Sequence, residues 1–115
     1  MHHFCLEAAE KLSGEGIDVE VIDLRSIYPL DIDTVLESVG KTGKAMVVYE
    51  DNKFLGVGAE VAAQIAEQAL FDLDGPIVRL AGPHVPAMPF APTLEGWFMP
   101  NPDKIEQEMR KLASF

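Results

Sequence analysis

The order of apolar and polar residues along this chain switches between two periods, and this predicts alternating helices and strands. Residues 4–13 place their apolar side chains on one helical face, with charged side chains on the opposite face. Gly14 and Gly16 are typical of the end of such a helix. Residues 17–24 then alternate apolar and acidic positions before the pattern becomes more apolar. This predicts a strand that is covered on both faces along only part of its length.

The same two periods continue through the rest of the chain. Asp31 is placed to cap a helix with an apolar stripe, and residues 45–49 form a continuous apolar run typical of a buried strand. A longer helix is predicted over residues 57–73 and a short strand over residues 77–81. The last helix is predicted to begin at residues 101–103, where an asparagine cap, a proline and an acid follow one another.

This order of elements predicts an α/β fold. Alternating helices and strands favour a three-layer domain with a mainly parallel sheet and helices on both faces. Doubly wound domains normally begin with a strand, whereas this chain begins with a helix, so we expect the first strand of the sheet to be missing. No repeat or low-complexity tract divides the sequence, and residues 1–115 are expected to form one domain.

The segment Gly82–Glu95 fits neither period. Six of the eight prolines fall between Pro83 and Pro102. Because proline fixes φ and carries no N–H, this segment is expected to form neither a helix nor a central strand. Apolar residues stand between the prolines, so we expect the segment to lie against its own domain or against a partner. His84, within it, is either a solvent-exposed loop residue or an interface contact.

Composition narrows the class of protein. The 115 residues carry a net charge of −10, which disfavours nucleic acid and anionic membrane surfaces as partners. The chain contains no run of about 18 apolar residues, so no membrane span is predicted. The N-terminus lacks the pattern of a signal peptide, and a cytoplasmic location is therefore expected. Cys5 is the one cysteine, which excludes an internal disulfide. We expect it to be a buried helix residue rather than a reactive thiol.

The sequence gives little evidence for catalytic or ligand-binding residues. Residues 55–60 resemble a phosphate-binding loop, but Val61 stands where the dinucleotide motif needs a third glycine, so a tight, closely packed turn is favoured. Glu50 and Asp51 follow a buried strand, where α/β proteins place active residues, yet a solvated loop is the favoured interpretation. Arg79 is expected to pair with an acid or to span a sheet edge. No residue is therefore predicted to be catalytic or to bind a metal or cofactor in this chain.

Several motifs together resemble the C-terminal domain of transketolase-type enzymes. The segments that carry the resemblance are residues 16–26, 28–31, 41–44, 58–62, 71–77, 79–83, 86–93, 98–99 and 101–104. They look most like the beta subunit of the thiamine-diphosphate-dependent decarboxylase component of 2-oxo acid dehydrogenase complexes. The residue sequence of Ala87–Pro92 is most similar to that of bacterial branched-chain (2-oxoisovalerate) members of the family. Pyruvate and acetoin dehydrogenases remain alternatives, because the family's substrate contacts lie elsewhere.

The resemblance also implies what a complete enzyme would need. In this family, the N-terminal domain of the beta subunit carries the glutamate that activates thiamine diphosphate, and the alpha subunit holds its diphosphate and magnesium. The expected partners are therefore that N-terminal domain, the alpha subunit, a second beta subunit and the subunit-binding domain of the acyltransferase. This chain would then be a fragment, the product of a misplaced start, or one part of a split subunit. It is expected to bind neither cofactor and to be inactive alone.

The expected role of the domain is assembly and partner docking. The resemblance places the end of the chain near the acyltransferase's binding domain, which makes Ser114 and Phe115 candidate docking residues. His84 is a third candidate, although family members usually carry an acid at this position. The alternative class of function is a purely non-enzymatic assembly module.

Overall fold

The computed structural model describes residues 2–25, 30–53, 55–82 and 100–115. Four α-helices, two strands and one short 3₁₀ helix are formed within these ranges. They are α1 (His2–Ser13), α2 (Ile32–Thr42), β1 (Met46–Asn52), α3 (Val57–Ala69), the 3₁₀ helix (Leu70–Asp72), β2 (Val78–Gly82) and α4 (Pro102–Ala113). The predicted α/β class is confirmed. The helix predicted over residues 57–73 is confirmed only as far as residue 69, where the chain tightens into the 3₁₀ turn.

The two strands lie side by side and parallel. Met46 is opposite Val78 and Val48 is opposite Leu80, and an irregularity follows before Asn52 reaches Gly82. Helix α3 connects the two strands, as a parallel pair requires a crossover. The predicted parallel arrangement is therefore confirmed for these two strands.

Helices cover both faces of this pair. On one face, α2 and α3 supply a buried cluster against which Ala45, Val47 and Ile77 pack. On the other, α1 and α4 supply a second cluster against which Met46, Val48 and Leu80 pack. The cluster residues are Val35, Val39, Val61, Ile65 and Ala69 on the first face, and Ala8, Leu12, Ile105 and Met109 on the second. Successive strand residues thus enter different helix layers, which explains the continuous apolar run at residues 45–49.

Local capping signals set the helix ends as the sequence predicted. The Asp31 carboxylate accepts hydrogen bonds from the backbone N–H and the hydroxyl of Thr34, at 3.2 and 2.6 Å. At the other end of α2, Gly43 adopts a left-handed conformation with φ of 76°, and its N–H donates to the Val39 carbonyl at 2.8 Å. The Asn101 side chain accepts from the backbone N–H of Lys104 at 2.9 Å and so begins α4.

The strand predicted over residues 17–24 is not formed as a paired strand in the described residues. Residues 17–25 have no helix or strand assignment, and the sheet there consists of β1 and β2 alone. Ile17 and Val19 nevertheless pack on the α1–α4 cluster, while Leu24 packs on the α2–α3 cluster. The side chains of residues 17–24 therefore alternate as expected for a strand. Their backbone does not pair with β1 in the described structure, because a cavity separates the two segments.

An ion pair fastens this extended segment to α2. Lys41 Nζ lies 2.6 Å from Glu20 Oε2, in the last turn of α2. The hydrogen bond from Lys41 lowers the pKa of the Glu20 carboxyl, and the same contact raises the pKa of Lys41. Since both side chains are largely exposed, the pair positions the segment more than it stabilises the domain.

The proline segment beyond Gly82 lies outside the described residues. The prediction that the proline segment lies against its own domain or a partner stays a prediction.

The Glu20–Lys41 pair predicts an acid-sensitive contribution to stability. Because the pKa of Glu20 is lowered in the folded state, its contribution is present above the ordinary carboxyl pKa and is lost as the pH falls through the lowered value. We expect Glu20→Gln to lower the melting temperature slightly near neutral pH and to leave it unchanged near about pH 2. Thermal melts of both proteins across this range measure the difference. Glu67→Gln, an exposed substitution on α3, is the control, and a pH-independent effect of Glu20→Gln would contradict the assignment.

Candidate docking surface

The last two residues continue directly from α4 and are accessible. The Ser114 hydroxyl donates to the Lys111 carbonyl at 2.6 Å, and the Phe115 N–H donates to the Leu112 carbonyl at 3.2 Å. These bonds hold the chain end against the helix instead of leaving it as an extended tail. Phe115 is still 66% exposed. Of the three predicted docking residues, Ser114 and Phe115 therefore stand together, while His84 lies outside the described residues and stays a prediction.

A turn of the chain supports Phe115 from one side. A Cβ added to Gly75 would lie 3.1 Å from the Phe115 Cβ and 3.6 Å from Leu112 Cδ1. A side chain at position 75 would therefore require Phe115 to shift by a few tenths of an ångström. Gly75 thus allows the close approach of the chain end, a role that depends on a tertiary contact and cannot be read from the sequence.

The same turn carries large exposed apolar residues and two acids. Phe71 is 100% exposed, and Leu70 beside it is also exposed. Asp72 and Asp74 follow within four residues, and the backbone N–H of Asp74 donates to the Gly43 carbonyl at 2.6 Å, which fixes the turn to the end of α2. We call these four residues and Phe115 the C-terminal surface. An apolar surface bordered by acids is suited to a partner that combines apolar and basic side chains.

Ion pairs join α4 to the turn that follows α1. Arg110 Nη2 lies 2.8 Å from Glu15 Oε1 and 2.7 Å from Glu106 Oε1. The hydrogen bonds from Glu15 and Glu106, in that order of size, raise the pKa of Arg110. These contacts orient the last turns of α4, on which Ser114 and Phe115 depend.

The loop after β1 is closely packed rather than open. A Cβ added to Gly58 would collide with the ring of Tyr49, so the ring fills the space at the start of α3. The Tyr49 hydroxyl donates to the Lys53 carbonyl at 3.1 Å, and Arg79 Nη1 donates to the same oxygen at 2.9 Å. The interpretation of residues 55–60 as a tight, closely packed turn is confirmed. Arg79 was expected to pair with an acid or to span a sheet edge; among the described residues it bonds this backbone carbonyl, because the turn brings Lys53 beside β2.

The metal-ligating side chains of the described residues do not gather into one site. They contain no group of three or more His, Cys, Asp and Glu side chains placed to hold a metal ion. Glu50 is exposed at the end of β1, and the side chain of Asp51 lies outside the described part of the structure. Cys5 is half-buried on α1, and burial raises the pKa of its thiol, which fits a packing residue better than a reactive one. Within the described ranges, no helix combines the length and apolarity needed to cross a membrane.

Comparison with known proteins identifies relatives over nearly the whole chain. The sequence profile of the family described as "Transketolase, C-terminal domain" matches residues 1–105. The chain is 57% identical to the 2-oxoisovalerate dehydrogenase subunit beta of Bacillus subtilis (strain 168), over 98% of this chain and 35% of that protein. It is 42% identical to the pyruvate dehydrogenase E1 component subunit beta of the same organism, over 100% of this chain and 35% of that protein.

Two further comparisons agree. The acetoin:2,6-dichlorophenolindophenol oxidoreductase subunit beta of Cupriavidus necator is 44% identical over 96% of this chain and 32% of that protein. A solved structure, a split-gene transketolase in an inactive beta4 tetramer, superposes with a TM-score of 0.83 at 25% identity, covering 98% of this chain and 36% of that one. The chain thus spans about a third of the length of the relatives that it matches.

The close contact between α3 and β1 predicts a difference between two glycines. Gly58→Ala should destabilise the domain by about 1–3 kcal/mol, because the new methyl group overlaps the Tyr49 ring. The matched control is Gly40→Ala, on the exposed side of α2, where an added Cβ would lie 3.8 Å from Asp72 Oδ2. This change should be neutral or stabilising by up to about 1 kcal/mol. Urea unfolding measures both free energies. Gly58→Ala should cost much less in a Tyr49→Ala background, and an equal cost in both backgrounds would refute the packing argument.

Proposed function

The chain belongs to the transketolase C-terminal domain family, and on this premise we propose that residues 1–115 are the C-terminal assembly domain of a 2-oxo acid dehydrogenase beta subunit. The proposal includes the branched-chain type, acting on 2-oxoisovalerate. The observation that carries it is the 57% identity to a 2-oxoisovalerate dehydrogenase subunit beta, against 42% and 44% for the pyruvate and acetoin relatives. The alignments with the pyruvate and acetoin relatives cover 96% or more of the chain, so their lower identity does not result from lower coverage.

We further propose that the domain contributes no catalytic group. Thiamine diphosphate supplies the carbanion chemistry of decarboxylation in such enzymes, and magnesium anchors its diphosphate. The described residues contain no group of three or more metal-ligating side chains, and the Tyr49 ring fills the space beside Gly58 at the start of α3. The cofactors would then be held by the N-terminal domain of the beta subunit and by the alpha subunit, in a cytoplasmic enzyme.

The role left to this domain is to hold partners. The C-terminal surface combines the exposed Phe71 and Phe115 with Asp72 and Asp74, on a chain of net charge −10. This combination favours a basic partner with apolar contacts, and the subunit-binding domain of the acyltransferase is the partner we propose. A second beta subunit is the other proposed neighbour. A module of assembly alone, outside any dehydrogenase, is the second candidate function, and the exposed apolar residues favour it equally.

A chimeric enzyme tests the proposed function. The C-terminal third of the B. subtilis 2-oxoisovalerate dehydrogenase subunit beta is replaced by this chain, and the product is expressed with its alpha subunit. We expect assembly and 2-oxoisovalerate decarboxylation close to those of the parent enzyme, and no decarboxylation by the isolated chain. The matched control is the same exchange in the B. subtilis pyruvate dehydrogenase subunit beta, which we expect to assemble less well. Equal or better assembly of the control would argue against the branched-chain assignment, and failure of both would argue against the domain assignment.

The proposed docking role predicts a salt-dependent effect of the chain end. In the chimera, deletion of Ser114 and Phe115 should weaken binding of the acyltransferase's subunit-binding domain about tenfold or more, because an exposed aromatic anchor and the terminal carboxylate are displaced. His84→Asp should tighten binding, and more at low salt than at high salt, because it adds a charge complementary to a basic partner. Calorimetric titration measures both. Asp33→Asn, an exposed substitution in the first turn of α2 and remote in sequence from the surface, is the control. Unchanged affinities in both variants would place the docking surface elsewhere.

A further inference from the structure

The last turn of α4 contacts two parts of the domain that are distant from it in sequence. On one side, the Phe115 Cβ and Cγ atoms lie 3.1 and 3.3 Å from the position that a Gly75 Cβ would occupy, so the chain end packs on the turn before β2. On the other side, Arg110 reaches Glu15, in the turn that follows α1. The end of the chain is therefore held through contacts with two separate turns.

The contact between Arg110 and Glu15 is a bidentate ion pair. Arg110 Nη2 lies 2.8 Å from Glu15 Oε1, and Arg110 Nε lies 3.2 Å from Glu15 Oε2. Two such bonds fix the orientation of the guanidinium against the carboxylate, which a single contact does not. Arg110 Nη2 also donates to Glu106 Oε1 at 2.7 Å, one turn earlier on α4. Exposed ion pairs generally contribute little to stability, but bidentate pairs and pairs within a network are the exceptions.

The turn that carries Glu15 is itself ordered. The Glu15 N–H donates to the Leu12 carbonyl at 2.9 Å, and the Ile17 N–H donates to the same oxygen at 3.0 Å. Leu12 is fully buried in the cluster between α1 and α4. The carboxylate that binds Arg110 thus belongs to a turn that is joined to the core, and it can restrict the movement of α4.

The ion pair lies on the same side of α4 as Ser114. Glu106, Arg110 and Ser114 follow at spacings of four residues, which places them one above another on a helix. Beyond Arg110, the backbone N–H groups of Ser114 and Phe115 each make a bond of 3.2 Å to α4. The last turn of a helix frays readily, because its carbonyl groups lack helical partners further along the chain. An anchor one turn before the chain end limits this fraying.

We propose that Arg110 is a positioning residue for the C-terminal surface: its bidentate pair with Glu15 orders the last turn of α4 and so holds Phe115 in one orientation for docking. This inference rests on the docking role proposed above. Arg110 acts through the chain end and does not need to touch the partner. Because an anchor that is ordered in advance loses less conformational entropy on binding, the pair raises the affinity of docking from within the domain.

The pair also makes the order of the chain end sensitive to salt. The side chains of Arg110 and Glu15 are 45% and 48% exposed, so added salt screens their attraction. Salt would then weaken docking in two ways, through the charges that face a basic partner and through the order of Phe115.

Neutral substitutions at the two ends of the pair separate this role from a simple effect of charge. Arg110→Gln makes the domain more negative, and Glu15→Gln makes it less negative. A basic partner that responded to charge alone would bind the first variant more tightly and the second more weakly. If the pair positions the chain end, both substitutions weaken docking, and the double substitution weakens it about as much as either alone.

Glu108→Gln is the matched control. Glu108 pairs with Lys111 within α4, at 3.3 Å, so this substitution removes the same charge as Glu15→Gln and leaves the contact with the turn after α1 intact. NMR relaxation of the 115-residue chain gives the backbone order parameters of Ser114 and Phe115 without a partner. Calorimetric titration of the chimera gives its affinity for the acyltransferase's subunit-binding domain.

We expect lower order parameters at Ser114 and Phe115 in Arg110→Gln and Glu15→Gln than in the unchanged chain and the control. Docking by these two variants should weaken about threefold to tenfold. Raising the salt concentration should lower the order parameters of the unchanged chain but not those of Arg110→Gln.

Several results would overturn the proposal. These are unchanged order parameters in Arg110→Gln, lowered order with unchanged affinity, and affinity shifts of opposite sign in Arg110→Gln and Glu15→Gln. A loss of order throughout α1 and α4, in place of one confined to the chain end, would overturn it as well. Absence of binding by the unchanged chimera would instead contradict the docking role, and the order parameters would still decide whether the pair holds the chain end.

Discussion

The rest of this structure depends on the burial of the β1–β2 pair between two apolar helix layers. A strand covered on both faces cannot send its backbone groups to water, so each edge needs a ladder or must border a cavity. One edge of β1 is satisfied by β2, and the other faces the cavity that separates β1 from residues 17–25. The two helix layers pack on opposite faces of this pair and so determine where their loops and the chain end lie.

Local chemistry explains which parts of the fold were predictable from the sequence. Asp31, Gly43 and Asn101 act on backbone groups within four residues, so their effects can be read from neighbours along the chain. The strand at residues 17–24 shows the limit of this approach. Its alternation correctly predicted that Ile17 and Val19 face the helices, but a ladder depends on a partner distant in sequence, which periodicity does not reveal.

The residues of the candidate docking surface likewise divide into those that the sequence could predict and those that it could not. Ser114 and Phe115 came from a family resemblance, and their exposure agrees with a docking role without demonstrating it. The support of Phe115 by Gly75 joins a turn to the chain end, and an Asp-Gly-Pro sequence alone indicates only that a turn is present. Gly58 was predictable as a close-packing glycine, whereas the Arg79 partner was not, because the Lys53 carbonyl reaches it only after the loop has folded.

Leu112 connects the packing of α4 with the candidate docking surface. Its side chain is buried and lies beside Gly75, at the turn next to Phe115. The Leu112 carbonyl also accepts the hydrogen bond from the Phe115 N–H, so the same residue holds the chain end. Ordering the chain end in advance reduces the entropy lost when a partner binds it. The burial of Leu112 therefore contributes both to the stability of the domain and to the order of the surface proposed for docking.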